Sequence, residues 1–131
     1  MRMLSQEEEA DDGKEVTWED QQRINTFSKL TTRVRSLVEK VNGLKQEKEA
    51  LDDLTMELEL ADEDQPVLYK VGEAFLHLPH HRAMKRLESD QAQVDGEIAK
   101  LTEVVDQCER DMKALKVTLY ARFGNAINLD E

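Results

Sequence analysis

The stretch Val67–Leu78, VLYKVGEAFLHL, decides how the rest of the chain is read. Strand-like alternation runs on both sides of Gly72-Glu73, and glycine at the first central position supplies the positive φ that a type II′ hairpin turn requires. With that two-residue turn, Val71 pairs with Ala74, Tyr69 with Leu76 and Val67 with Leu78, which makes one wholly apolar face. The other face carries Lys70 with Phe75 and Leu68 with His77 and is mixed. An isolated two-stranded hairpin is marginal in water, and both of its strands are edges with unpaired backbone groups. This hairpin therefore needs partners.

Outward from it, the chain changes period. On the N-terminal side the residues Phe27, Leu30, Val34, Leu37, Val41, Leu44, Lys48, Leu51, Thr55 and Leu58 recur at alternating steps of three and four, the pattern of a coiled-coil seam. Ile24, Val38 and Leu54 widen the stripe. Thr17 with Asp20 forms a capping pair that starts the helix, and a helix over 17–60 would be roughly 60 Å long. ADEDQP (61–66) interrupts the seam, and Pro66, with no N–H to give to a ladder, suits the start of a strand. Beyond the hairpin, Pro79 ends the second strand and a helix over 80–123 carries Met84, Leu87, Gln91, Val94, Ile98, Leu101, Val105, Cys108, Met112, Leu115 and Leu119 in the same rhythm. Gly124, just after Phe123, fits a helix C-cap.

Two helices of nearly matched length, each with a seam suited to a single partner helix, predict a mainly α chain. It is a long antiparallel two-helix coiled coil with one β-hairpin at the junction. Residues whose numbers sum to about 143 then face each other, for example Leu58 near Met84 and Phe27 near Leu115 and Leu119. The polar seam residues Lys48, Thr55 and Gln91 either specify register or meet other subunits. Residues 1–16 are expected as an acidic disordered tail and 124–131 as a short flexible one.

Composition agrees with long solvated helices. Of 131 residues, 36% are charged and only 5% aromatic, with two prolines and five glycines. A net charge of −11 with no local basic patch excludes nucleic acid and an anionic membrane surface as partners. No apolar run approaches the roughly 20 residues of a membrane span, and MRMLSQEEEADDGKE has no signal-peptide core. The expected location is the cytoplasm. The single cysteine, Cys108, reads as a small buried apolar residue in the seam.

No glycine-rich phosphate loop, nucleophile elbow, HExxH or paired-cysteine pattern occurs, so neither an enzyme nor a cofactor is expected. His77, His80 and His81 are close in sequence, but one is on a strand and two follow a proline. They read as a polar hairpin-to-helix connection rather than a zinc site. The aromatic residues are Trp18, Phe27, Tyr69, Phe75, Tyr120 and Phe123. Tyr69 and Phe75 lie in the hairpin, and the others fall where the folded-back helices put the free end of the coil. Ile24, Leu119 and Ile127 join that end group. Two readings stay open: these residues close the end of the coil, or they form an exposed apolar surface of the kind that marks binding sites.

Helix, single hairpin and helix, with Tyr69, Lys70, Val71, Gly72 and Phe75 at the junction, resemble the β class of prefoldin subunits over about residues 17–123. That resemblance implies a hetero-hexamer with other α- and β-type subunits, in which Val67, Leu68, Tyr69, Val71, Gly72, Phe75, Leu76 and Leu78 contribute to an oligomeric β-barrel. It also implies an ATP-independent chaperone that captures unfolded actin and tubulin chains at the coiled-coil tips and delivers them to the cytosolic chaperonin. Carried over by position, Trp18, Ile24, Phe27, Leu119, Tyr120 and Phe123 are the candidate client contacts. The competing expectation is a structural scaffold that oligomerises through its hairpin and holds no client.

Overall fold

The heptad residues become the buried stripes of two long helices. The computed structural model describes Arg2–Met3 and residues 15–129. In chain order these form β1 (Arg2–Met3), α1 (Trp18–Leu60), β2 (Val67–Val71), β3 (Ala74–Leu78), α2 (His80–Phe123), a 3-10 turn (Gly124–Ala126) and β4 (Ile127–Asn128). Every seam position read from the sequence, from Phe27 to Leu58 and from Met84 to Leu119, is buried or half-buried, while most residues between them are exposed. Neither helix contains an internal proline, so the backbone ladder runs unbroken through 43 and 44 residues.

The fold divides into two compact units. The hairpin unit, Glu39–Thr102, holds β2, β3 and the helix segments beside them. Its core is Leu58, Tyr69, Ala83 and Leu87, with Leu51, Leu54, Val67, Val71, Leu78 and Met84 packed around it. The terminal unit takes the chain up to Val38 and from Glu103 onward. Its core is Ile24, Phe27, Leu119, Phe123, Ala126, Ile127 and Leu129. Cys108, at 4% exposure, is buried as expected of a seam residue.

Cross-helix bonds within each unit run antiparallel, so that higher numbers on α1 meet lower numbers on α2. In the hairpin unit Lys48 Nζ lies 2.7 Å from Asp95 Oδ1. The Gln91 side-chain amide donates to Thr55 Oγ1 at 2.9 Å and to Asp52 Oδ1 at 3.0 Å. Thr55 in turn donates to the Leu51 carbonyl at 3.0 Å. The polar seam residues thus find their partners within the chain, which favours register specification over contact with other subunits. Thr55→Val alone should cost about 1 kcal/mol by removing one of the two acceptors of the Gln91 amide, whereas Thr55→Val with Gln91→Leu should be neutral or stabilising. Urea unfolding of the wild type, both single variants and the double variant measures this coupling, and additive single effects would reject it.

The segment at the end of the chain departs from expectation. The sequence predicts a short flexible tail over 124–131, yet Ala126, Ile127 and Leu129 are buried in the terminal core, and β4 pairs antiparallel with β1. Gly124, at φ +55°, lets the chain turn back after α2, and the alternating apolar residues beyond it find the helix ends. Most of the expected acidic tail over 1–16 lies outside the described residues. Within it, Arg2–Met3 forms the strand just given and Val16 packs against the terminal core.

Candidate functional site

The hairpin has the register that its sequence dictates. Val67 pairs with Leu78, Leu68 with His77, Tyr69 with Leu76, Lys70 with Phe75 and Val71 with Ala74. Gly72 carries φ +63° and, among the described residues, no non-glycine has a positive φ, so Glu73 does not. One positive φ at the first central residue is the type II′ pattern rather than type I′. The face bearing Val67, Tyr69, Val71 and Leu78 lies on the helices. Leu76, on that same face, stays 48% exposed, and Leu68 and Phe75 on the other are 57% and 61% exposed. Exposed apolar area beside two strand edges is the kind of surface that other strands or apolar faces cover.

Tyr69 anchors the hairpin to α2. Its ring is buried, and its hydroxyl donates to Asp90 Oδ2 at 2.7 Å, with Arg86 Nε 3.5 Å from Asp90 Oδ1. Burial first, and then the bond to the Asp90 carboxylate, push the Tyr69 hydroxyl up to about 12. The neutral phenol is therefore favoured in the folded state. Stability is full below the ordinary value of 10.0 and falls as pH rises from there toward about 12. Tyr69→Phe should cost about 1–2 kcal/mol at neutral pH and should lose less stability than the wild type between pH 9 and 11. Identical alkaline slopes for the two proteins would contradict this.

The histidines are used separately. The His80 ring Nε2 donates to the Leu58 carbonyl at 2.6 Å, tying the start of α2 to a carbonyl near the end of α1 that also accepts the Ala61 N–H at 3.3 Å. His77 and His81 are exposed. Among the described residues no cluster of His, Cys, Asp and Glu is arranged to hold a metal ion, and no helix is long and apolar enough to cross a membrane.

The candidate contact residues of the terminal unit divide sharply. Ile24, Phe27, Leu119 and Phe123 are 4%, 3%, 0% and 2% exposed, so this end is closed and they are not displayed. Tyr120 is half-buried, and its hydroxyl accepts from the Leu129 N–H at 3.3 Å. Trp18 alone among the six is open, at 72%, and Val117, which sequence reasoning did not single out, is 65% exposed. An outward position on an otherwise regular seam helix gives Val117 no mark in the sequence.

Asp20 was legible as a cap but not as a core residue. The Thr17–Asp20 pair forms as read, with Asp20 N–H donating to Thr17 Oγ1 and Thr17 N–H to Asp20 Oδ2, both at 3.1 Å. Asp20 also stands one heptad before Phe27 and is only 1% exposed. Arg122 clamps it, with Nη2 at 2.6 Å from Oδ2 and Nε at 3.2 Å from both carboxylate oxygens. Arg23 Nη1 adds a bond to Oδ1 at 3.2 Å. The Arg122 guanidinium, aided by the Thr17 bonds, overcomes burial and holds the Asp20 carboxyl at about 2.

Residues 21–126 match the family model described as prefoldin subunit. Over 116 residues the chain is 42% identical to prefoldin subunit 4 of Saccharomyces cerevisiae, covering 88% of this chain and 90% of that one. Over 116 residues it is 35% identical to prefoldin subunit 4 of Homo sapiens, covering 88% and 87%. In fold it is similar to the crystal structure of the prefoldin beta subunit from Thermococcus strain KS-1, with a TM-score of 0.75 at 13% identity over 85% of this chain and 97% of that one.

Proposed function

The chain belongs to the prefoldin subunit family, and from that premise we propose that it fills a β-class, subunit-four-type place in a hetero-hexamer of α- and β-type subunits in the cytosol. The hairpins of the subunits join into a β-barrel platform, and the coiled coils hold unfolded chains of the actin and tubulin class and deliver them to the chaperonin without ATP hydrolysis. The observation that carries the reading is the uncovered hairpin, where Leu68, Phe75 and Leu76 stay exposed beside free strand edges. Holding needs no reaction. Several weak apolar contacts around one cavity raise the effective concentration for a partly folded chain, and each releases quickly alone. The acids along the helices keep such an assembly soluble.

The scaffold reading is favoured by one observation, the burial of Ile24, Phe27, Leu119 and Phe123. The two readings separate in a hexamer reconstituted with Trp18→Ser and Val117→Ser, both exposed positions that should leave folding intact. Holding predicts an assembly of unchanged mass that captures less guanidinium-unfolded actin. Unchanged capture would favour the scaffold. Failure of the wild-type chain to enter a discrete mixed assembly of about six chains in gentle lysate would sink the platform itself.

A further inference from the structure

Residues 126–129 cover the apolar residues that the family resemblance marks as candidate client contacts. Ala126, Ile127 and Leu129 are 2%, 4% and 3% exposed and share one core with Ile24, Phe27, Leu119 and Phe123. They are not part of α2: Ala126 closes the 3-10 turn, and from Ile127 onward the segment is buried as an extended peptide. Ile127 has φ −136° and ψ 143°, and Asn128, between the buried Ile127 and Leu129, is exposed. The described contacts of this attachment are apolar packing and backbone bonds, which suit many apolar sequences. Ala126, Ile127 and Leu129 supply bulk, while the bonds described at Leu129 and Asn128 engage backbone, the Leu129 N–H to Tyr120 and the short β4–β1 pair.

We propose that residues 126–129 are an internal stand-in for client, filling the surface of Ile24, Phe27, Leu119 and Phe123 until an unfolded polypeptide displaces them. This rests on the client-holding reading above and adds to it a regulation of that surface. The stand-in is tethered through the single turn at Gly124, so its effective concentration is on the order of millimolar or higher. One stray apolar segment therefore competes poorly. An unfolded chain held by several subunits at once presents its segments at a comparable effective concentration and displaces the stand-in, and a folded protein, whose apolar segments are buried, does not. The site thereby selects for unfoldedness while keeping its apolar area covered between clients.

The test uses the full chain and a fluorescein-labelled peptide, Asn-Ala-Ile-Asn-Leu-Asp, which reproduces residues 125–130. Ile127→Ser with Leu129→Ser weakens the stand-in without touching the helices. The variant should bind the peptide at least about tenfold more tightly than the unmodified chain does. A hexamer containing it should also capture more guanidinium-unfolded actin. No peptide binding to either protein overturns the proposed site. Peptide binding with unchanged actin capture overturns the client role at this end while leaving a peptide-binding surface, so the two failures are distinguishable. Native-state hydrogen exchange on the unmodified chain provides a check should the variant unfold at this end. The Leu129 amide should exchange at least about tenfold faster than the amides from Ile24 to Phe27, through an opening of its own. Equal rates, meaning one joint opening, would overturn the proposal.

Discussion

Phe123→Ala is expected to remove about 3–5 kcal/mol from the terminal unit, the range for emptying a buried aromatic site. Phe123 heads the fully buried side chains, at 2% exposure, and belongs to the same core as Ile24, Phe27, Leu119, Ala126, Ile127 and Leu129. Its removal leaves both the helix ends and the returning segment without their common neighbour. The Arg122 guanidinium, 5.5 Å from the ring centroid, is also deprived of a cation–π interaction. Native-state hydrogen exchange reads the effect directly. Amides near Ile24 and Leu119 should lose protection by a factor that matches the unfolding free energy, and Leu119→Ala should behave alike at about 2–5 kcal/mol. A loss below about 1 kcal/mol would mean that Phe123 is solvated much of the time and that the closed end is not the dominant form.

The elements and their register were legible because each rests on a short-range rule. Steps of three and four residues give a helix seam, Gly72 gives the turn, and the turn fixes every cross-strand pair from Val71–Ala74 out to Val67–Leu78. What the sequence left undecided at the terminal unit was exposure. Trp18, Phe27 and Phe123 look alike in a list of aromatics, but Phe27 and Phe123 are buried while Trp18 stands 72% open. That difference depends on Ala126, Ile127 and Leu129 returning to cover the helix ends, and three apolar residues after a helix-ending glycine are too few to carry a period. Asp20 was hidden for a different reason. A carboxylate at a seam position is improbable in isolation, and its partner Arg122 lies far away in sequence.

The hairpin and the terminal unit therefore offer physically different surfaces. At the hairpin, apolar residues such as Phe75 remain exposed, so a partner there covers area that is otherwise in water. At the terminal unit Ile24, Phe27, Leu119 and Phe123 are already covered, so anything that binds them must first displace Ile127 and Leu129. A permanent partner suits the first arrangement. A transient, weakly held one suits the second, because whatever it buries is offset by the re-exposure of Ile127 and Leu129 to water.

Asp20→Asn should have the next largest effect, because it uncouples the start of α1 from the end of α2. The substitution keeps an oxygen for the Thr17 N–H but removes the charge that Arg122 clamps. Breaking a fully buried pair costs about 3–5 kcal/mol, but Arg122 is 37% exposed and can be rehydrated, so about 2–3 kcal/mol is expected. Arg122→Gln should cost less, since Arg23 still reaches the carboxylate. The double variant should show strong non-additivity. Acid provides a second, independent reading. The Asp20 carboxyl sits at about 2 when folded against an ordinary 3.8, so the unfolded chain takes up the proton first as pH falls. Its contribution is complete above about pH 5 and is lost as pH drops through 3.8 toward 2, a decline on the order of 2 kcal/mol. Other carboxylates titrate over the same range, so the quantity to measure is the difference between wild type and Asp20→Asn in urea unfolding at pH 6, 4, 3 and 2.5. That difference should shrink steadily with acid. If it stays constant across the series, the clamp is not holding Asp20 ionised, and the ion pair is not what fastens this end.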